Sequence, residues 1–102
     1  MDKNEALALA RQYASIIVKE LNPDKIILYG SHAKGTATNE SDIDVAVIFD
    51  QFNGDWLKTY TRLSRLRRSV SSHLTPVLLD SAHDSSGFVD EIVTTGEVIY
   101  QQ

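Results

Sequence analysis

The chain contains no cysteine, two prolines, and a single methionine and tryptophan in 102 residues. The missing cysteines exclude disulfides, thiolate metal centres and a cysteine nucleophile. A chain this small that folds without disulfide staples fits a reducing cytoplasm. No apolar run approaches the roughly 18 to 20 residues needed to cross a bilayer. The first residues, Met-Asp-Lys-Asn-Glu, carry both charge signs and no apolar segment of the kind a signal peptide uses. An excess of positive charge is missing too: ten Lys and Arg stand against fourteen Asp and Glu, a net charge of -4. That balance argues against direct binding of duplex DNA, which positive domains achieve by neutralising phosphates. It leaves open a nucleotide held together with a metal ion.

What is present reads as an ordinary folded chain, with 42% apolar and 24% charged residues. The length fits one domain spanning residues 1–102, near the lower end of what a single core supports. Leu7, Ala10, Ala14, Ile17 and Leu21 recur at spacings of three and four, which predicts a helix from an Asn4 cap to a stop at Asn22-Pro23. Ile26 to Tyr29 is apolar without alternation, the pattern of a strand covered on both faces. Residues 31–41 are small and polar and read as a loop with room for one helical turn. A second strand follows from Ile43 to Phe49, then a helix from about Trp56 to Ser72 with Leu57, Tyr60, Leu63, Leu66 and Val70 on one side. Pro76 to Leu79 is a third strand ending at Asp80. Phe88 to Val93 is a short helix capped by Gly96, and Val98 to Tyr100 an edge strand or packed tail. The order α-β-loop-β-α-β-α-β indicates an α/β fold with a sheet flanked by helices.

The chemistry concentrates between the first two strands. Asp42 and Asp44 are two apart at the start of a strand, so their carboxylates share a face. Like charges held close repel unless a cation lies between them. Mg²⁺ suits such a pair, because it takes one or two carboxylates and fills its octahedron with water and substrate phosphates. Alone, an Asp-x-Asp pair also serves to cap or solvate a strand end. Gly30-Ser31, alone, is also a plain strand-ending turn. Together they join a phosphate cradle to a metal pair, and the spacing matches neither a Walker loop nor a Rossmann fingerprint.

Gly30-Ser31 followed ten residues later by Asp42-Ile43-Asp44 resembles the minimal nucleotidyltransferases of the polymerase-beta superfamily. Leu28 to Gly35, Glu40 to Val47 and the ending Asp90 to Tyr100 extend the resemblance over nearly the whole chain. The resemblance implies a mixed sheet flanked by helices that binds Mg²⁺ and ATP at the Gly-Ser loop. It also implies an antitoxin-like role beside a small helical HEPN ribonuclease toxin, with AMP transferred onto a hydroxyl of that partner. Carried over residue by residue, Asp42 and Asp44 are the catalytic and metal positions, and Gly30, Ser31, Lys34 and Ser41 the nucleotide positions. Lys34 equally suits a solvated loop. The family's third carboxylate comes from the third strand, where this chain has Thr75 beside Pro76. Asp80, at the other end of that strand, is the remaining candidate for a third metal ligand.

Two further features stand outside this pattern. His32, His73 and His83 are too scattered for a metal cluster and are expected at the surface. Lys58, Arg62, Arg65, Arg67 and Arg68 form a basic stretch within an acidic chain, read either as a solvated helix face or as a docking surface. A contact-only binding module that silences its partner without transfer is the rival to the enzyme, and Thr75 is its main support.

Overall fold

A computed structural model describes all of residues 1–102. Helix α1 spans Lys3–Leu21, followed by β1 (Lys25–Tyr29), a one-turn helix α2 (Ser31–Lys34) and β2 (Ile43–Phe49). Helix α3 (Trp56–Leu66), β3 (Leu74–Asp80), α4 (Phe88–Thr95) and β4 (Glu97–Gln101) complete the order. The four strands form one sheet in the order β3-β2-β1-β4. β1 runs antiparallel to both β2 and β4, and β2 runs parallel to β3. The sheet is therefore mixed, as expected. No helix is long and apolar enough to cross a membrane.

The central strands β1 and β2 are largely apolar because both sheet faces are covered there. On one face, Ile26, Leu28, Ile43, Val45, Val47, Leu74 and Leu78 pack under α1 and Leu63 of α3. α1 supplies Ala6, Leu7, Ala10, Tyr13, Ala14 and Ile17 at the helical spacing read from the sequence. The buried Tyr13 hydroxyl donates to the Leu63 carbonyl at 2.6 Å, joining the two helices across the core. On the other face Ile27, Ala46 and Ile48 meet Val89 and Ile92 of α4. β3 is an edge strand, which is why it tolerates Pro76 and its missing N–H donor.

Several local expectations are corrected. α1 is capped by Asp2, whose carboxylate accepts from the Glu5 N–H at 2.8 Å, so Asn4 lies inside the helix. The second long helix is shorter than its periodicity suggests. It ends at Leu66 and passes into a 3-10 turn at Arg67–Ser69, where the Arg67 guanidinium donates to the Ser72 carbonyl at 2.8 Å and folds the chain back toward β3. Of its supposed apolar face only Leu63 is buried, while Leu57 is 71% exposed. β3 begins two residues earlier than expected, because Leu74 and Thr75 continue the parallel ladder opposite Ile43 and Asp44. Gly96 does end α4, but in extended rather than left-handed backbone. Glycine is needed there for space: a Cβ would lie 2.6–2.7 Å from Ile27 Cγ2 and from the carbonyl oxygens of Ile92 and Leu28.

These contacts separate core from surface. Ile27→Ala is expected to cost about 2–5 kcal/mol as a buried truncation. Gly96→Ala is expected to cost roughly 1–3 kcal/mol through overpacking against two backbone carbonyls. Leu57→Ala should stay within about 0.5 kcal/mol of wild type. Urea denaturation of the three variants checks this ranking.

Candidate active site

The register brings the expected residues together at one end of the sheet. Tyr29 pairs with Asp44 across β1–β2, and Asp44 pairs with Thr75 across β2–β3. Cross-strand partners share a face, so Tyr29, Asp44 and Thr75 form a row with Asp44 at its centre. Asp42 precedes β2 by one residue and is exposed, on the same side as Asp44 by the two-residue alternation. The row lies on the face that carries α4.

Gly30 follows β1 directly, with φ 75 and ψ -152, a region that side chains other than hydrogen essentially do not enter. A Cβ there would also run into Oδ2 of Asp44. Backbone conformation and the approach of the carboxylate thus both require glycine. Ser31 opens α2 and is half-buried, and its carbonyl accepts the Thr36 N–H at 3.0 Å. Lys34 is exposed at the end of α2 with no carboxylate partner.

Ser41 closes the turn that delivers Asp42. Its hydroxyl accepts the Thr38 N–H at 2.8 Å and its own N–H donates to the Thr38 carbonyl at 3.1 Å. His32, expected at the surface, is only 2% exposed. Its Nε2 lies 3.3 Å from the Ser41 carbonyl, placed to donate to it and tie α2 to the turn. Small and polar flanking residues gave no signal for this burial.

Asp44 is the electrostatic centre. Burial pushes its carboxyl above the ordinary range, and the neighbouring Asp42 charge pushes it further, partly offset by His32. Tyr29 is raised for the same reasons in the same order, burial first and then Asp44, which keeps its phenol protonated. Its ring meets Phe88 of α4 edge-on at 6.1 Å.

Asp80 does not join this site. It pairs with Phe49, five register steps from the Asp44–Thr75 pair, or roughly 16 Å along the strand. There it accepts from the N–H groups of Ala82 at 2.9 Å and Phe52 at 3.2 Å and pairs with His83 at 3.1 Å. Burial acts upward on its carboxyl, but the His83 and backbone hydrogen bonds outweigh it and hold it below the usual range. Asp80 fastens a turn, and its assignment as a third metal ligand is withdrawn on that geometry.

No group of three or more His, Asp or Glu side chains forms a closed metal cage. The donor set at the sheet end is two carboxylates on one face, with Asp44 raised first by burial and then by the Asp42 charge. That set suits a hard divalent cation such as Mg²⁺, which needs few protein oxygens and leaves positions for phosphate and water.

The raised Asp44 carboxyl has a sign that can be measured. A folded pKa above the unfolded one contributes stability that is present at low pH and lost as pH rises through the folded pKa. In metal-free buffer, the melting-temperature difference between wild type and Asp44→Asn should therefore shift against wild type as pH rises above about 4. Thermal melts at a series of pH values check this, and a divalent cation should reverse the trend.

Comparison with known proteins gives this geometry its context. The chain is 35% identical over 60 residues to a Methanocaldococcus jannaschii protein named as protein adenylyltransferase MJ1379, a match covering 59% of this chain and 60% of that protein's length. A Sulfolobus solfataricus structure described as a nucleotidyltransferase superposes with a TM-score of 0.71, over 98% of this chain and 84% of that one, at 17% identity. A toxin-antitoxin structure determined with AMP-PNP superposes with a TM-score of 0.64, over 90% of this chain and 73% of that one, at 23% identity. At those identities the two structures bear on the fold alone. Residues 11–102 match the family described as Polymerase beta, Nucleotidyltransferase, and with nine-tenths of its length inside that match the chain belongs to this nucleotidyltransferase family.

Proposed function

We propose that residues 1–102 act as one minimal unit that transfers AMP from ATP to a hydroxyl of a partner protein, with Mg²⁺ as the metal. The observation that carries this reading is the Asp44 carboxylate seated against Gly30, with the Asp42 charge beside it, at the end of the sheet. Asp42 and Asp44 would hold the metal, which when bound neutralises triphosphate charge and aligns the reacting oxygens. Gly30 gives the phosphates room to approach the backbone, with the Ser31 N–H and hydroxyl as donors. Lys34, exposed and unpaired beside them, would add a positive contact. Ser41, with its hydroxyl already engaged by the Thr38 N–H, would act mainly by shaping the turn before Asp42. In the transfer the acceptor oxygen bonds to the α-phosphorus, the bridging bond to the β-phosphate breaks, and pyrophosphate leaves.

The partner assignment is inferred from the toxin-antitoxin neighbour and the relative's adenylyltransferase name, carried here as a reading. A small helical HEPN toxin is the partner that the resemblance to minimal nucleotidyltransferases implies. Thr75 supports a second reading, a contact-only binding module. It stands beside Asp44 where an acid would be useful as a base, and a neutral hydroxyl cannot take that role near neutral pH.

Incubation with radiolabelled ATP, with and without the partner, separates the readings. Label should pass to the partner in Mg²⁺, and Asp42→Asn or Asp44→Asn should abolish it while thermal melts show the variants still folded. Thr75→Asp should speed transfer, since a general base is commonly worth roughly 10²–10⁴ in rate. A wild type that silences its partner without labelling it, and a Thr75→Asp variant equally inert, would establish the binding module.

A further inference from the structure

α4 covers its side of the sheet unevenly. Ile27, Ala46 and Ile48 of the two inner strands are fully buried against it, while Val77 and Leu79 of β3, packed on the same face, are only half-buried and Thr75 is exposed. An apolar strip is therefore left open along β3, starting beside the Asp44–Thr75 pair. It ends in a groove of about 420 Å³ between the far end of β3, the start of α4 and the start of α3. That volume is in the range of small-molecule sites.

Two aromatic rings wall the groove. Phe88, the first residue of α4, is 38% exposed, and Trp56, the first of α3, is 45% exposed. Both rings are held in place. Phe88 meets Tyr29 edge-on, and Tyr29 is the cross-strand neighbour of Asp44. Trp56 meets Phe52 edge-on at 5.1 Å. Phe88 thus links the carboxylate row to the groove.

The polar wall of the groove is made of fixed acceptors. Asp80 accepts the N–H groups of Ala82 and Phe52, and Asp84 those of Val89 at 3.1 Å and Asp90 at 3.3 Å. A carboxylate has about four lone-pair sites, so both keep the capacity to accept another donor. Their negative charge repels phosphate and favours an uncharged group that donates hydrogen bonds.

We propose that the strip and the groove hold the ribose and base of the nucleotide, with Phe88 as the stacking platform and a purine bearing an exocyclic amine as the base. The inference rests on the transfer reading above for where the phosphates lie. In that reading pyrophosphate leaves at Gly30 and Ser31, the β1 end of the Tyr29–Asp44–Thr75 row. In-line displacement puts the acceptor oxygen on the opposite side, toward Thr75. The row runs across the strands, so the ribose leaves the α-phosphorus along them. α4 closes that direction over β1 and β2 and leaves it open over β3. Thr75 to Leu79 is four residues, roughly 13 Å along the strand, a span that ribose and purine cover together. Aromatic faces stack any base, so the carboxylates make the selection. Adenine presents an amine where guanine presents a carbonyl oxygen.

Trp56 is the single tryptophan of the chain, so its emission reports the groove directly. The test titrates three probes in Mg²⁺, reading fluorescence and calorimetry together: ATP, ITP (a purine with a carbonyl in place of the amine) and inorganic tripolyphosphate. ATP should change Trp56 emission and tripolyphosphate should not. ITP should bind about tenfold more weakly than ATP. Phe88→Ala, folded as judged by its melt, should weaken ATP about tenfold and leave tripolyphosphate unchanged, and Phe88→Tyr should restore ATP binding. Trp56 unmoved by saturating ATP, ITP binding as tightly as ATP, or a Phe88→Ala variant that binds ATP like wild type or loses tripolyphosphate as well would each overturn the proposal. ATP that moves Trp56 and depends on Phe88, with no label passed to the partner, would uphold the groove and count against the transfer reading alone.

Discussion

The approach of the Asp44 carboxylate to the backbone of Gly30 governs the arrangement of everything around it. It requires a residue without a side chain at position 30, in a backbone region that suits glycine alone. It requires β1 and β2 to be antiparallel neighbours with Tyr29 opposite Asp44, which the apolar strands enforce from both faces. It also brings a second carboxylate, Asp42, to the same side, so the fold holds two negative charges at a place where burial already disfavours one. Stability alone gives no reason to build such a pair. The proposed divalent cation and phosphate chain would.

The rest of the site region serves to hold that geometry. The turn at residues 38–41 is closed by Ser41, and buried His32 links it to α2, so the two segments that carry Ser31 and Asp42 are fixed to each other. Gly96 lets α4 and β4 press against β1, with no room for even one methyl group. The open side is β3, where Pro76 and the polar Thr75 keep an edge strand from recruiting another sheet. α3 and its basic residues lie over the sheet face opposite the one that carries Asp44.

Much of this was legible in the sequence, and what was not had identifiable causes. Continuous apolar strands, the α1 stripe and the strand–Gly-Ser–Asp-x-Asp order specify two covered faces and a site at the join of β1 and β2, because burial and alternation are local signals. The α3 periodicity misled: Leu57, Tyr60 and Val70 keep helical spacing, yet the helix stops at Leu66 and turns Leu57 outward. Periodicity cannot distinguish an apolar face that covers a core from one left open. Asp80 and His32 were misjudged for a related reason. His32 depends on a partner nine residues away, the Ser41 carbonyl, and Asp80 on the distant Phe52 N–H as well as on nearby Ala82 and His83; no local pattern records the distant partners.

Calorimetric titration of ATP tests most directly whether Asp42 and Asp44 form a cation site that ATP shares. With Mg²⁺ present, wild type should bind ATP and Asp44→Asn, folded as judged by its melt, should not; in excess chelator neither should bind. Equal ATP affinity in chelator, or Asp44→Asn binding as well as wild type, would contradict the account.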